Sequence, residues 1–350
     1  MKVLVTGHNG YIGSVMMPFL RAAGHEVTGL DTFLYEACTI GPEPGAFPAL
    51  RMDLRDVQAK DVRGYDAVIH LAALSNDPLG NLDSENTYDI NHRAAVRLAA
   101  ASKEAGVPRY LFASSCSLYG AAGSTAVAED APMHPVTPYG ETKALAEREL
   151  SGLADDTFSP TYLRNATAYG ASPRLRLDIV VNNLVGVAMT TGQVRLESDG
   201  SPWRPLVHVA DIARTALAVL DAPREVIHDQ AFNVGRDEDN LQVGQIADMV
   251  AAAVPGSSVV RAPGAGPDRR DYRVDFAKLR ETFPHLRLDM TVPGGIQELV
   301  AAYADHGLTA EEFASSRFTR LKRILELLDA GAIDDLLRLQ SATASAEGAA

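Results

Sequence analysis

A glycine-rich loop close to the first residue constrains the fold of this chain more than any other feature. The loop, T-G-H-N-G-Y-I-G at residues 6–13, follows an apolar run and opens a segment of helical apolar periodicity that ends at Ala23. This order predicts a strand, a tight turn and a helix. The first glycine permits the sharp turn, the second lets backbone amides approach a pyrophosphate, and the third lets the helix lie close to the sheet. The positive end of the helix dipole supplies an anion site.

An acidic residue follows this loop at the spacing that dinucleotide binding requires. A second hydrophobic run, residues 26–30, ends at Asp31, about 20 residues after the glycines. Asp31 can accept both ribose hydroxyls of an adenosine, whereas it would repel a 2′-phosphate, and Thr32 and Phe33 supply no cation. We therefore expect NAD rather than NADP, the alternative being that Asp31 merely ends a strand. The cofactor contacts predicted in the loop are Gly7, Asn9, Gly10, Tyr11, Ile12 and Gly13.

The composition is that of an ordinary globular chain with an acidic surface. Its 350 residues, 46% hydrophobic and 22% charged, suffice for a full core and for two or three lobes. The net charge of −13 disfavours nucleic acids and anionic membranes as partners, so an anionic substrate must meet locally placed arginines. Two cysteines, Cys38 and Cys116, cannot form a disulfide framework. We expect a cytoplasmic protein, because no signal peptide precedes the strand at Lys2 and no apolar run approaches the roughly 20 residues of a membrane span.

Strands and helices alternate after Asp31 in the pattern of a parallel α/β fold. A strand is predicted at residues 50–54, where Asp53 and Leu54 would flank the adenine, and another at residues 67–73. The latter is continuously apolar, as expected for a parallel strand that is buried on both faces. A helix at residues 88–105 and a further strand follow. The carboxyl end of the 67–73 strand should cover the cofactor with Leu71, Ala72 and Ala73.

Two later segments carry residue types suited to proton transfer. A serine-rich segment at residues 114–117 follows a strand, and a helix is predicted from Pro138 to about Leu153. Tyr139 and Lys143 lie four residues apart, so their side chains share one face of that helix. Such a pair alone is common on protein surfaces, but here it follows a complete nucleotide-binding half. A tyrosine of ordinary pKa, about 10, becomes a base when an ammonium and a positively charged nicotinamide favour its phenolate.

These motifs, together with R-P-L-V-H-V-A-D at residues 204–211, resemble the extended short-chain dehydrogenase/reductases of the NAD-dependent nucleotide-sugar epimerase/dehydratase type over about residues 1–305. The resemblance implies an α/β fold, a Rossmann-type doubly wound parallel sheet with a smaller α/β substrate-binding lobe, here followed by a C-terminal helical extension. It also implies NAD as the cofactor, a nucleotide-diphosphate sugar as the substrate, and a homodimer. By this resemblance Tyr139 is the catalytic base, Lys143 holds the ribose, and Ser115 hydrogen-bonds the reacting sugar oxygen.

The resemblance assigns further contacts to the cofactor and the sugar nucleotide. Asn91 and residues 162–170 would line the cofactor and the sugar. Residues 173–189 resemble the lid that holds the diphosphate, with Asn183 and Arg204 as phosphate contacts. The predicted substrate contacts are Ser75, Ser117, Asn165, Thr167, Asn183, Arg204 and Arg270.

A basic cluster at residues 269–273 is unusual in so acidic a chain. We interpret it as a second diphosphate clamp rather than a solvated face, with Arg270 as the most suitable residue. The nine histidines, by contrast, show no metal-ligand spacing, and His70 and His208 fall in strand patterns. No metal site is therefore predicted.

The alternation of strands and helices becomes less regular beyond residue 170, which suggests a second lobe. After the end of the resemblance, two more helices are predicted, packed on the body or across a dimer. The expected divisions are residues 1–170 with 204–236 for the NAD-binding Rossmann domain, 171–203 with 237–305 for the nucleotide-sugar-binding lobe, 306–340 for the C-terminal helical extension, and 341–350 for a flexible tail.

The residues after Ser115 bear on the reaction. In the family that the chain resembles, sugar 4,6-dehydratases carry an Asp-Glu pair there and decarboxylases carry a Glu, whereas this chain has Cys116 and Ser117. Without a carboxylate, epimerisation at C4 and net 4-oxidation of a hexose or heptose both fit, and we favour epimerisation. Thr167 replaces the usual sugar-binding asparagine, so the sugar stays open.

Three other functions stay open at this point. Cys116 could serve as the acid/base of a 3,5-epimerase, but in an extended segment its side chain would point away from those of Ser115 and Ser117. A 4,6-dehydratase would need its acid from elsewhere in the chain. A non-catalytic NAD-binding sensor would keep the fold, although such proteins usually lack the Tyr-Lys pair.

Overall fold

Strands and helices alternate along the residues that the computed structural model describes, 1–75, 82–120, 123–262 and 271–340. The strands are β1 (Lys2–Thr6), β2 (Glu26–Asp31), β3 (Ala49–Arg51), β4 (Ala67–His70), β5 (Arg109–Ser115), β6 (Gly123–Val127), β7 (Ser159–Asn165), β8 (Thr167–Tyr169), β9 (Gln193–Leu196), β10 (Trp203–His208), β11 (Gln230–Val234), β12 (Asn240–Gln242), β13 (Ser258–Arg261) and β14 (Tyr272–Val274). The helices are α1 (Gly13–Ala22), α2 (Ser84–Tyr88), α3 (Ala94–Glu104), α4 (Pro138–Ser151), α5 (Val180–Thr191), α6 (Val209–Asp221), α7 (Arg224–Ile227), α8 (Val243–Ala253), α9 (Ala277–Thr282), α10 (Val292–His306), α11 (Ala310–Ala314) and α12 (Arg320–Asp329). None of the helices in these ranges is long and apolar enough to cross a membrane.

Seven of the strands form one parallel sheet in the order β11-β7-β5-β4-β1-β2-β3. The chain runs outward from β1 to β3, then crosses back to β4 and runs outward to β11 on the other side. The direction of winding therefore reverses between β1 and β4, and a crevice forms beyond their carboxyl ends. The predicted Rossmann-type doubly wound sheet is confirmed.

Helices cover both faces of this sheet. Val3 and Val5 of β1 pack in one cluster with α1 and α6, whereas Leu4 packs in another cluster with α3 and α4. Successive side chains of a strand point to opposite faces, so a strand that is covered twice must be apolar throughout. This explains the unbroken apolar runs of β1 and β4.

A smaller second lobe is built around α5, α8, α10 and the parallel pair β9 and β13. Its core joins Val181 of α5, Ile246 of α8 and Ile296 of α10 to Val194 of β9. Because this core is separate from those of the large sheet, the two lobes can enclose a ligand between them. The predicted α/β lobe is confirmed as a part of the fold.

The C-terminal extension packs on the body of its own chain, which is one of the two placements expected. Ile324 of α12, with Ile333 and Leu337 after it, forms a cluster with Leu74 from the loop after β4. Leu34 from the loop after β2 packs against the same cluster. The extension thus lies over loops that follow strands of the seven-stranded sheet. The predicted tail at residues 341–350 lies outside the described residues.

Two local elements differ from the sequence prediction. The helix predicted from residue 88 begins at Ser84 and contains a π-helical turn, Asp89–Arg93, which turns Asn91 inward. The side-chain oxygen of Asn91 accepts from the backbone N–H of Leu74 at 2.7 Å, and the side-chain nitrogen of Asn91 donates to the Leu74 carbonyl at 2.9 Å. The strand predicted to reach residue 54 ends at Arg51, because Asp53 caps a 3₁₀ turn instead. In both places a side-chain hydrogen bond to the backbone overrides the local pattern.

A buried ion pair fastens α4 to the sheet. Arg164 of β7 and Glu147 of α4 are each 4% exposed, and the Arg164 Nη2 lies 2.7 Å from the Glu147 Oε2. The other terminal nitrogen of Arg164, Nη1, donates to the Tyr119 hydroxyl at 2.9 Å and to the backbone carbonyl of Glu129 at 2.8 Å. A fully partnered buried guanidinium of this kind fixes the helix in one position relative to β5 and β7.

Removal of one partner of this pair should destabilise the fold more than removal of both. We expect Glu147→Ala to lower the free energy of unfolding by about 3–5 kcal/mol, because it leaves the guanidinium of Arg164 buried without its counter-charge. The double variant Glu147→Leu with Arg164→Met should be the more stable of the two, which denaturant unfolding can measure. A double variant less stable than Glu147→Ala would show that the pair is not the main restraint on α4.

Candidate active site

A cavity of about 890 Å³ lies where the carboxyl ends of β1, β4, β5 and β7 face the second lobe. The first turn of α1, the end of β2, and α4 also contribute to its wall. From the second lobe come Asn183 and Leu184 of α5 together with Leu196 of β9. A volume of this size is at the upper end of the range for ligand cavities, and it spans both lobes.

The glycine loop at this cavity packs so closely against neighbouring backbone that side chains at Gly7 and Gly13 would collide with it. Gly7 has a φ of 72°, and a Cβ on it would lie 2.7 Å from the Ala72 nitrogen. A Cβ on Gly13 would overlap the carbonyl oxygen of Gly7. The loop therefore brings bare backbone and the N-terminal end of α1 to the cavity wall, which is the arrangement that a pyrophosphate requires.

The carboxylate of Asp31 is fixed at the end of β2. One oxygen accepts from the Phe33 amide at 2.7 Å and the other from the Asn9 amide at 3.0 Å. Burial raises the pKa of Asp31, and these two amides oppose that rise because they favour the charged form. Asp31 lines the cavity. Its position fits the ribose hydroxyls of a dinucleotide whose pyrophosphate lies on the glycine loop.

Tyr139, Lys143 and Ser115 all line the same cavity. The hydroxyl of Thr137 caps α4 by accepting from the Gly140 amide at 3.2 Å, and Pro138 begins the helix. This start places Tyr139 and Lys143 on the face that meets β5. The Ser115 hydroxyl donates to the Ser117 hydroxyl at 3.0 Å.

The amine of Lys143 is buried against β5. Its Nζ donates to the Ala113 carbonyl at 2.7 Å and lies 5.9 Å from the centre of the Tyr139 ring. Burial lowers the pKa of Lys143 to about 7, and the charge of Glu147 acts in the opposite direction. A phenolate at Tyr139 would favour the ammonium form of Lys143, and the ammonium would favour the phenolate in return.

Three buried polar atoms at this cavity have no partner within the described part of the chain: Arg320 Nη1 and two atoms at strand ends. The two at strand ends are the hydroxyl of Ser114 at the end of β5 and the side-chain oxygen of Asn165 at the end of β7. Both residues line the cavity. Buried polar atoms are normally hydrogen-bonded, so these two fit polar groups of a bound ligand.

Cys116 points away from the cavity, although Cys116–Tyr119 form a 3₁₀ turn and not the extended segment on which that expectation depended. Its thiol donates to the Arg164 carbonyl at 3.1 Å and is fully buried. Burial raises the pKa of this thiol far above its usual value. Cys116 therefore cannot act as the acid/base that a 3,5-epimerase would need, and this alternative is wrong.

Most of the predicted site residues lie in the cavity wall, and two do not. The side-chain oxygen of Asn9 accepts from Arg174 at 2.9 Å, and Asn91 is bound to Leu74, so these two support the wall from behind. Arg270 lies outside the described residues. Besides Asp31 and the three predicted catalytic residues, the predicted residues that line the cavity are Gly7, Gly10, Tyr11, Ile12, Gly13, Asp53, Leu54, Leu71, Ala72, Ala73, Ser75, Ser117, Asn165, Thr167, Asn183 and Arg204.

The structure adds cavity residues that the sequence did not indicate. Ser114 belongs to a serine-rich segment and could have been included on that ground. Arg176 belongs to residues 173–189, the segment that resembles the lid, and could have been included on that ground. The additional polar residues of the wall are Thr32, Tyr35, Arg55, Ser114, Arg176, Asp178, Arg195, Glu197, Ser198, Tyr272 and Arg320. Among the residues that the structure describes, no group of three or more His, Cys, Asp or Glu side chains could hold a metal ion.

Lys143→Met should change the pH dependence of stability. The pKa of Lys143 falls from 10.5 to about 7 on folding, so between these values the unfolded chain binds a proton that the folded chain has released. Stability therefore rises with pH across this window, and the burial of the charge is most costly below about pH 7. We expect calorimetry of the nucleotide-free proteins to show that the free energy of unfolding of the variant exceeds that of the wild type most below pH 7 and least above pH 10. A difference independent of pH would contradict this assignment.

The comparisons with known proteins agree with this geometry. The sequence model of the NAD dependent epimerase/dehydratase family matches residues 3–235. A UDP-glucose 4-epimerase of Lactobacillus helveticus is 30% identical over 303 residues, which cover 80% of this chain and 90% of that protein. A UDP-glucose 4-epimerase of Neisseria meningitidis serogroup A is 29% identical over 261 residues, which cover 67% of this chain and 77% of that protein.

A solved structure shares the same architecture. The structure of MoeE5 in complex with UDP-glucuronic acid and NAD superposes with a TM-score of 0.76 at 26% identity, and it covers 87% of this chain and 99% of that one. The family match includes the glycine loop, Asp31, Ser115 and the Tyr139–Lys143 pair, all of which the fold brings to one cavity. The chain therefore belongs to the NAD-dependent epimerase/dehydratase family, and it is an NAD-dependent enzyme of nucleotide sugars.

Proposed function

We propose that the protein is a C4 epimerase of a nucleotide-diphosphate sugar. The observation that carries the proposal is that Tyr139, Lys143 and Ser115 face one cavity, while the turn after β5 supplies Cys116 and Ser117 instead of a carboxylate. Oxidation and re-reduction at one carbon need a base and a hydroxyl partner, whereas elimination of water needs a further acid/base. The names of the two relatives support the same reaction.

The carboxylates of the cavity support a reaction without elimination. Within the described ranges, four of them line the wall: Asp31, Asp53, Asp178 and Glu197. Asp31 accepts from backbone amides, and the other three are ion-paired with Arg55, Arg176 and Arg195, respectively. None of the four comes from β5, the turn after it or α4. A 4,6-dehydratase would need a carboxylic acid close to these elements.

Tyr139 carries out the proton transfers in this proposal. Its phenolate takes the proton of the sugar hydroxyl as hydride leaves the same carbon, and the dinucleotide supplies the redox chemistry when bound. The Ser115 hydroxyl donates to the reacting sugar oxygen. Lys143, fixed on the Ala113 carbonyl, stabilises the phenolate by its charge. Tyr139 returns the proton after the keto sugar has presented its other face, and the configuration at C4 is inverted.

The diphosphate of the substrate should bind between α5 and β10. Asn183 and Arg204 line this part of the cavity, and Arg204 is 8% exposed. A buried guanidinium binds a phosphate strongly because the hydrogen bond is charge-assisted and shielded from water. Arg270 is the second predicted clamp. The relatives named above favour uridine as the base, since both are UDP-glucose 4-epimerases.

Net 4-oxidation is the second candidate. Thr167 lines the cavity at the start of β8, at the position where the resemblance places a sugar-binding asparagine. This difference leaves the sugar open, so a heptose is a candidate substrate as well as a hexose. The same three catalytic residues would perform the oxidation, and NADH would have to leave after each turnover.

We also propose that the protein acts as a homodimer in the cytoplasm. The resemblance to the family supports the dimer. The composition supports the location, with 22% charged residues and only two cysteines.

The mass of the product distinguishes the candidate reactions. Purified protein incubated with NAD and a panel of UDP-sugars should yield a product of unchanged mass, because a 4-epimerase neither adds nor removes atoms. Loss of two hydrogens would support net oxidation instead. Loss of a water would falsify the proposal and show that another residue supplies the missing acid. Mass spectrometry combined with chromatography that separates C4 epimers gives the measurement.

Tyr139→Phe tests the base directly. The variant keeps the ring and loses the hydroxyl, so we expect turnover to fall by about 10²–10⁴-fold while NAD binding is retained. Tyr88→Phe is the matched control, because the Tyr88 hydroxyl donates to Glu141 at 2.6 Å and Tyr88 does not line the cavity. Turnover by Tyr139→Phe equal to that of the control would exclude Tyr139 as the base.

The preference for NAD over NADP should depend on Asp31. Asp31→Ser combined with Thr32→Arg removes the charge that repels a 2′-phosphate and adds a cation beside it. The affinity for NADP should therefore rise relative to the affinity for NAD. Thr32→Arg alone is the control for the added cation. Calorimetric titration of the three proteins with both dinucleotides measures the change, and tighter binding of NADP by the wild type would contradict the assignment of Asp31.

A further inference from the structure

The C-terminal extension reaches into the cavity. Arg320 at the start of α12 and Leu337 after its end both line the wall, although the family match ends at residue 235. We call residues 331–340 the C-terminal strap. The extension therefore adds side chains to the cavity wall that the matched family segment does not include.

Arg320 is held as a buried cation. It is 3% exposed, its Nη2 donates to the Arg174 carbonyl at 3.0 Å, and its guanidinium lies 4.3 Å from the centre of the Tyr35 ring. Its backbone amide donates to a carboxylate oxygen of Asp178 at 3.2 Å. Its other terminal nitrogen, Nη1, is buried and has no partner among the described residues. A buried guanidinium nitrogen without an acceptor is costly, so this atom indicates an anionic ligand in the cavity.

The surroundings of Arg320 connect it to the glycine loop. Arg174, whose carbonyl accepts from Arg320, donates from its Nε to the Asn9 side chain of that loop at 2.9 Å. Tyr11, at the first turn of α1, is close enough to Arg176 and Arg320 for both charges to oppose the burial that raises its pKa. The anion that Arg320 meets is therefore near the N-terminal end of α1, where a dinucleotide pyrophosphate binds.

The strap covers the side of the cavity formed by Asp53 and Leu54. Its Leu336 carbonyl accepts from Arg55 at 2.8 Å, and its Asp335 carbonyl accepts from Asn86 at 2.7 Å. Arg338 pairs with Asp56 at 2.8 Å, although an exposed pair of this kind adds little. The strap is thus bound to the turn that was predicted to flank the adenine.

Leu337 is the residue of the strap that lines the cavity. It has a φ of 58°, a left-handed conformation that is unfavourable for a leucine. It is nevertheless 5% exposed and packs with Leu74, Ile324 and Ile333. A residue keeps such a conformation only where its surroundings require it, so the strap has one defined position against the cavity.

We propose that the C-terminal extension is a part of the dinucleotide site, in which Arg320 binds a phosphate oxygen of the NAD pyrophosphate and the strap encloses the adenosine half. The extension then makes NAD a resident cofactor that leaves slowly. This inference rests on the identity of the cofactor and not on which sugar carbon reacts. A resident cofactor must be regenerated in each turnover, which is what a 4-epimerase does and a net dehydrogenase does not.

Arg320→Gln in the full chain tests the contact with the pyrophosphate. The loss of one charge-assisted hydrogen bond should weaken NAD binding by about 10- to 100-fold and raise the exchange rate of bound NAD for labelled NAD in a similar proportion. Lys322→Gln is the matched control, since it removes an exposed cation of the same helix that does not line the cavity. Binding of UDP should be the same in all three proteins.

Two results would overturn the inference. The first is NAD exchange by Arg320→Gln at the rate of the control. The second is a loss of UDP binding with NAD binding intact, which would assign the arginine to the substrate diphosphate.

Hydrogen exchange of the wild type gives a second test that does not depend on a variant. Amide exchange in residues 331–340 should slow when NAD is added and should not respond to UDP alone. Strap amides that exchange at the same rate with and without NAD would show that the strap is not a wall of the dinucleotide site, even where Arg320→Gln fails to fold.

Discussion

The close approach of the glycine loop to the end of β4 is the contact on which the active site depends. A Cβ on Gly7 would lie 2.7 Å from the Ala72 nitrogen, so only glycine allows β1 and β4 to end side by side with the loop between them. That contact sits where the winding of the sheet reverses, and it brings the N-terminal end of α1 to the crevice. The second lobe holds the loop from its far side, because Arg174 donates to Asn9. The anion site is therefore preorganised by backbone packing rather than by flexible side chains.

The buried cations near the cavity explain how a chain with an acidic surface can offer a site to anionic ligands. The net charge is −13, yet Arg164, Arg176, Arg320 and Lys143 are all buried near the sheet ends or the cavity. Arg164 is fully partnered and fixes α4, and it does not line the cavity. Lys143 and Arg320 are incompletely compensated by protein groups, and their burial is unfavourable until charge of the opposite sign arrives. The same low exposure that makes these cations costly strengthens their interaction with a phosphate or a phenolate.

The reaction proposed for this protein and the enclosure of its cofactor support each other. In the proposed reaction Tyr139, Lys143 and Ser115 provide for removal and return of a proton at one carbon, and none of the described carboxylates that line the cavity comes from β5 or α4. Such a cycle consumes no NAD, so a site closed by the strap does not hinder turnover. A net oxidation would require that site to open each time. The extension thus bears on the reaction, although it lies far from the catalytic helix in sequence.

The sequence by itself determined the elements whose geometry is local. The glycine spacing predicts the turn before α1, the distance to Asp31 predicts the ribose contact, and the separation of Tyr139 and Lys143 places both on one helix face, because each relation lies within one strand–turn–helix unit or one helix. Asn91 and Arg320 show what only the tertiary structure decided. Asn91 turns its amide to the Leu74 backbone through a π-helical turn that no periodicity signals. Arg320 reaches the cavity because Ile324 packs α12 against Leu74, a contact between segments some 250 residues apart. Hydrophobic burial determines that placement. The apolar pattern of a sequence predicts that a residue is buried, but it does not predict which residues bury it.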